Sequence, residues 1–147
     1  CMYNQASGKI IVNGFNKKDD ENYNQINKID CSGGMGTLIP KEIIQKVNYF
    51  DSENFPQYFG DIDFFLRAKN NGFSAFAIPD LIIYNDIDTT GKKKIRKFKD
   101  IKDVLFSNQS NLNLRQNFIF NKTHSNTFLS WFRLVLKTIR NLIMTLI

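Results

Sequence analysis

Short β-branched runs alternate with stretches of helical periodicity along this chain, a pattern that predicts an α/β fold closed by a C-terminal amphipathic helix. Three observations carry that expectation. Lys9-Ile10-Ile11-Val12 lies between Gly8 and Asn13-Gly14 and reads as a strand ending in a turn. Residues 61–70 have helical spacing and stop at Asn71-Gly72, the usual way a helix ends. Residues 127–147 repeat apolar side chains around a stripe that holds Arg133, Lys137 and Arg140. A chain of 147 residues suits one domain plus an appendage. The expected division is a domain over 1–125 and an amphipathic helix over 126–147.

The remaining elements follow in order. Residues 16–28 are polar with no apolar period and read as a loop. Ser32-Gly33-Gly34-Met35-Gly36 allows positive φ and close backbone approach. A phosphate cradle is the tempting reading, disfavoured by the missing Lys-Ser/Thr pair and strand–helix context. Pro40 opens a helix over 41–47 with Ile43, Ile44 and Val47 on one face, and Asn48 stands where a left-handed cap residue belongs. In the 61–70 helix, Phe64, Phe65 and Ala68 face the core with Leu66 at the edge. Phe73–Ile78 and Leu81–Tyr84 read as strands joined by a turn at Pro79-Asp80. A helix is expected over 112–120, and another over 127–147. That is too few strands for a free-standing sheet of normal size, which points to an incomplete fold.

Charge is unevenly distributed. Residues 1–91 hold 8 Lys/Arg against 12 Asp/Glu, whereas 92–147 hold 12 Lys/Arg against Asp100 and Asp103 alone. Seven of the basic residues crowd into Lys92–Lys102. An anionic partner is implied, a membrane surface or a nucleic acid. Cys1 and Cys31 show neither metal spacing nor a disulfide framework, and reduced thiols in a cytoplasmic protein are expected. A disulfide between them is the alternative.

Chemistry concentrates at Asp61 and Asp63. In one reading Asp61 caps the helix and Asp63 pairs with Arg67 at i, i+4. In the other, a carboxylate at the helix start, presented by a loop with Phe55, Tyr58 and Phe59, faces a cleft and accepts a proton from a bound hydroxyl. The two are compatible. His124 reads as a surface or interface residue, and Trp131 as a packing or interfacial anchor.

Several motifs stand in a recognisable order: Gly34-Met35-Gly36-Thr37-Leu38-Ile39, Tyr49-Phe50-Asp51, Gly60-Asp61-Ile62-Asp63, Leu66-Arg67-Ala68, Gly72-Phe73, Pro79 and Tyr84. Leu114-Arg115-Gln116-Asn117-Phe118 with Lys122 and His124 continues the series. Residues 8–125 thereby resemble the acceptor-side part of family 2 inverting glycosyltransferases of the GT-A (Rossmann-like) fold. The resemblance implies that Asp61 is the general base, with Asp63, Arg67, Gly34 and Tyr58 supporting it or binding the acceptor. It implies a tentative metal ligand at Asn85, where many members have His, with Asp86 or Asp88 as substitutes. It also implies Mg²⁺ or Mn²⁺ in the complete enzyme, a nucleotide-sugar donor and a glycan or glycolipid acceptor at the cell surface. Two departures stand out. Gly60 replaces the first acid of the family's Glu-Asp pair, and no Asp-x-Asp after an apolar strand precedes Asp61. The nucleotide-binding half is therefore missing. Little donor or metal binding, and no turnover, is expected of this chain alone.

Three charges at the middle of residues 127–147 disfavour a spanning helix and favour one lying in the membrane interface, at the inner face of the cell membrane. Packing on the protein core is the alternative. Nucleic-acid binding is not expected, since no recognised motif accompanies the charge. The rival from another class is a non-catalytic basic α/β module docking on anionic membranes or nucleic acid.

Overall fold

The computed structural model describes residues 1–13, 25–84 and 98–146. The chain is mixed α/β, with two small antiparallel sheets and five helices among the described residues. In chain order these are β1 (Met2–Asn4), β2 (Lys9–Ile11), β3 (Asn27–Ile29), α1 (Lys41–Lys46), α2 (Gly60–Asn70), β4 (Ala75–Ala77), α3 (Phe98–Phe106), α4 (Leu114–His124) and α5 (Phe128–Leu146).

The first sheet is a hairpin in which Tyr3 faces Ile10 across β1 and β2. The Asn4 side-chain oxygen accepts from both the amide and the hydroxyl of Ser7, which fixes the tight connection. The second sheet pairs β3 with β4, Lys28 opposite Phe76. Its strands come from distant parts of the chain, so β4 returns from the end of α2 to meet β3.

Helix α2 organises the rest because it is buried on two sides. Phe64 and Ala68 join Val47 under Ile39, Ile43, Ile44 and Phe73. Leu66 turns the other way, into Phe55 and Phe120 with Tyr3, Phe59, Ile62 and Ile119 around them. The edge position expected for Leu66 is thus a core position in a second cluster. Helix α4 supplies Phe120 and is capped by Asn113, whose side-chain oxygen accepts from the Gln116 amide at 2.9 Å. Asn113 also donates to the carbonyls of Phe106 and Ser107, tying the end of α3 to the start of α4.

Four differences from the sequence reading have physical reasons. Leu81–Tyr84 forms no strand; its side chains are exposed, Tyr84 at 92%. Apolar β-formers need a partner edge, and among the described residues none pairs with them. Asn27–Ile29, within and beside a stretch that reads as loop, is a strand because β4 supplies its ladder from far away in sequence. Helix α3 takes up the end of the Lys92–Lys102 run, the rest of which lies outside the described residues. Helix α4 runs on to His124, past the expected end at 120. Asn48, by contrast, does adopt the left-handed backbone expected of it, at φ 62, and Tyr49 follows at φ 59.

Candidate functional site

The site is assembled where the glycine segment 33–36 meets the first turn of α2. Phe59, at φ 68 and with no side-chain cap bond, occupies the N-cap position. Asp61 is therefore not the cap that its place in the sequence suggests. It lies in the first turn of the helix, where a carboxylate is favoured by the aligned peptide dipoles. One of its oxygens accepts the Gly34 amide at 2.9 Å. The carboxylate is half-buried and held by a residue 27 positions upstream. A Cβ at Gly34 would sit 2.9 Å from Asp61 Oδ1, so any larger residue there would push the carboxylate aside. Gly36, at φ 66, meets Ile83, and a Cβ would overlap that side chain at 1.6 Å.

About half a turn further on, Asp63 is buried, with 2% of its surface exposed. Its Oδ2 accepts from Arg67 Nε, and Arg67 Nη2 lies 2.8 Å from the same oxygen. Its Oδ1 is 2.9 Å from His124 Nε2. The i, i+4 pair read from the sequence is thus present, joined by a third member on α4. His124 is not a surface residue but is buried at 6%, with Phe120 and Tyr3 rings against its imidazole. No local signal could have found it, because 61 residues separate it from Asp63.

Arg67 extends the assembly by donating to the carbonyls of Val47 and Tyr49. Those carbonyls flank the left-handed pair Asn48 and Tyr49, a backbone arrangement that costs about 1–3 kcal/mol per residue unless it is held. Through its bonds to Asp63, Val47 and Tyr49, Arg67 ties α2 to the chain that follows α1. Around this network, Tyr3 OH and Ser125 Oγ are 2.6 Å apart, and burial pushes the Tyr3 phenol above its ordinary value. Asp30 takes the Tyr3 amide at 2.8 Å and the Lys69 ammonium at 2.6 Å. Burial alone would raise the Asp30 carboxyl; the Lys69 and Tyr3 bonds outweigh it and hold the group below the ordinary carboxylate value.

Tyr58 is half-buried on the loop that leads into α2, three residues before Asp61. That loop is braced from α4: Arg115 donates to Glu53 O and Asn54 Oδ1, while Asp51 binds the Asn54 amide and side chain. The structure thus brings Asp61 to Gly34 and Asp63 to Arg67. Asn85, with Asp86 and Asp88, lies outside the described residues. Among the described residues no three His, Cys, Asp or Glu side chains converge in a way that could hold a metal ion. Cys1 and Cys31 are free thiols, and burial raises the Cys31 pKa, so its sulfur is held as the inert thiol.

A cavity of about 480 Å³ opens nearby, between the β3–β4 ribbon, α1 and one side of α2. Met35, Gly36, Ile39, Phe64, Phe65 and Phe76 contribute to its walls, and Lys69 and Asp30 stand at its polar edge. Asp61 is not among its lining residues. The apolar space and the carboxylate lie against the same glycine segment without sharing a chamber.

No protein-family model, curated protein or solved structure matches this chain.

Proposed function

We propose that this chain is the acceptor-side portion of a family 2-like inverting glycosyltransferase of the GT-A fold, with Asp61 as its general base. The observation that carries the reading is the state of that carboxylate. It stands half-exposed in the first turn of α2, and the Gly34 amide fixes one of its oxygens. The helix beneath it is fixed in turn by Asp63, Arg67 and His124. A proton acceptor has to be held at a defined distance from the reacting oxygen, and this rigid mount supplies that.

In the reaction, the acceptor hydroxyl oxygen attacks the anomeric carbon of the donor sugar while its proton passes to Asp61. The bond from the anomeric carbon to the nucleoside diphosphate breaks with its electron pair on the phosphate oxygen, and the configuration inverts. Tyr58 and the glycine segment flank the acceptor, and Asp63 with Arg67 acts through the mount. The donor-binding half lies outside these 147 residues. The Mg²⁺ or Mn²⁺ that such an enzyme uses would neutralise the leaving diphosphate. The residues described here do not fit a site for it: Asp61 is a single carboxylate with one oxygen already engaged, whereas such ions take several oxygen ligands. The enzyme works at the inner face of the cell membrane on a cell-surface glycan or glycolipid.

Asp61→Asn in the complete enzyme tests the reading, because the amide oxygen still accepts from Gly34 and the mount survives. Turnover is expected to fall by about 10² or more with donor affinity unchanged. A folded Asp61→Asn enzyme of undiminished turnover would overturn the assignment. The rival reading, a non-catalytic membrane-docking module, is favoured by one feature, the uncovered apolar face of α5 described next.

A further inference from the structure

Helix α5 is mounted with its polar side toward the protein. Ser130 is buried, Arg133 donates to the Gly8 carbonyl, and Lys137 donates to Asn117 Oδ1 while its ammonium lies 5.9 Å from the centre of the Phe59 ring. Thr127 donates to the Ala6 carbonyl at the start of the helix. Two of the three cations of the basic stripe, expected on the side away from the lipid, therefore face the protein. The side chains that remain outside are Leu129, Phe132, Val135, Leu136, Ile139 and Ile143, all of them exposed, with Phe128 at 88%.

These residues form one surface. At about 100° of rotation per residue they span roughly 120° of the circumference, over a helix about 28 Å long. That arc is wider than the seam of a two-stranded coiled coil, which is confined to two positions in seven. A single helix docked on another would leave much of it wet, so the partner is a broad surface. Charge selects among the broad partners. Residues 92–147 carry twelve Lys/Arg against two Asp. Lys122 and Arg140 are exposed, and Arg140 borders the apolar arc by the same rotation count. A second copy of the chain would bring like charges together, whereas an anionic bilayer neutralises them. None of the described helices is long and apolar enough to cross a membrane; a helix with an apolar arc along one side suits a place in the interface.

We infer that the outward face of α5 is a docking surface for an anionic lipid bilayer, entered by Phe132, Leu136 and Ile139 and held at its border by Arg140. The inference rests on the peripheral location proposed above and not on the chemistry of Asp61. The Lys137 side chain reaches over Phe59, the residue before α2, so a docked α5 sets the start of α2 near the lipid.

The test is co-sedimentation of the full chain with vesicles of phosphatidylcholine mixed with phosphatidylglycerol, and with phosphatidylcholine alone. Mixed vesicles are expected to bind the chain, and neutral vesicles to bind it less. Phe132→Glu and, independently, Leu136→Glu should each weaken binding about tenfold or more, since each removes one large buried apolar group. Neither side chain is in the core, so circular dichroism melting should be unchanged. Raising the salt should weaken binding without abolishing it, because the apolar contribution persists. Binding that vanishes with salt, or that both variants retain, overturns the inference. So does a lipid-free dimer in sedimentation equilibrium that Phe132→Glu converts to monomer, which would make the face a contact between copies. Asp61→Asn should bind vesicles like the unaltered chain, which separates a failure here from a failure of the catalytic reading.

Discussion

Helices α2 and α5 treat the same ingredients in opposite ways. Both mix large apolar side chains with Asp, Lys or Arg at helical spacing. In α2, Phe64 and Leu66 are each buried, in separate clusters, and the buried Asp63 is bonded on both oxygens. In α5 the polar stripe is turned inward and the apolar stripe outward. Amphipathic periodicity identifies a face but not what covers it. The two helices also divide the work. Helix α2 holds a carboxylate against the glycine segment, while α5 leaves a row of apolar side chains exposed.

The comparison breaks most readily at Asp63. Removing one member of a buried, charge-bonded network leaves its partners uncompensated. Asp63→Ala should therefore cost about 3–5 kcal/mol and lower the thermal midpoint accordingly. Phe64→Ala should cost a similar amount, about 3–5 kcal/mol, by opening a cavity beside Val47 and Ala68. If either variant melts like the unaltered chain, α2 is not the fixed element described here.

A smaller effect is expected at Arg67→Lys, which keeps the charge beside Asp63 but loses the fork that reaches Val47 and Tyr49. About 1–3 kcal/mol should be lost, and amide exchange at residues 48–50 should quicken. The pH dependence sharpens the contrast further. Asp30, held below its ordinary pKa, stabilises the fold above the ordinary carboxylate value and loses that contribution as pH falls through its lowered folded value. Asp30→Asn should therefore lower the thermal midpoint at neutral pH, and the gap should close in acid.

Lys137 has the opposite sign. Burial, with Arg133 and Arg140 nearby, holds its ammonium below the ordinary lysine value. The charged form is penalised in the folded state below that lowered pKa. The penalty is relieved as pH rises toward the value of the unfolded chain. Lys137→Met should then be nearly neutral or slightly stabilising at pH 7, the smallest change in the set. A large loss would mean that the cation, and not its stem, holds α5 to the protein.

What the sequence could disclose follows the range of each interaction. The helix over 61–70, the Asp63–Arg67 pair and the left-handed Asn48 are set by neighbours within one or two turns, and all three could be read. The β3–β4 pairing, the bond from Gly34 to Asp61 and the burial of His124 join residues 27 to 61 positions apart, and no periodicity encodes them. Asp61 stood out by its place before an apolar helix, but its partner did not. The inward turn of Arg133 and Lys137 depends on carbonyl and amide groups of residues 8 and 117, which a helical projection of α5 alone cannot contain. Leu81–Tyr84 shows the reverse failure, where strong local β character meets no edge to pair with among the described residues.

On the proposed reading, chemistry and support are separated within one turn of α2, Asp61 for the reaction and Asp63 for the mount. Measuring turnover of the complete enzyme alongside thermal unfolding for Asp61→Asn and Asp63→Asn tests it most directly. Asp61→Asn should melt with the unaltered protein and lose about 10² or more in turnover, while Asp63→Asn should melt far lower. If Asp61→Asn instead melts as low as Asp63→Asn, and its folded fraction still turns over, Asp61 belongs to the mount and the catalytic assignment is contradicted.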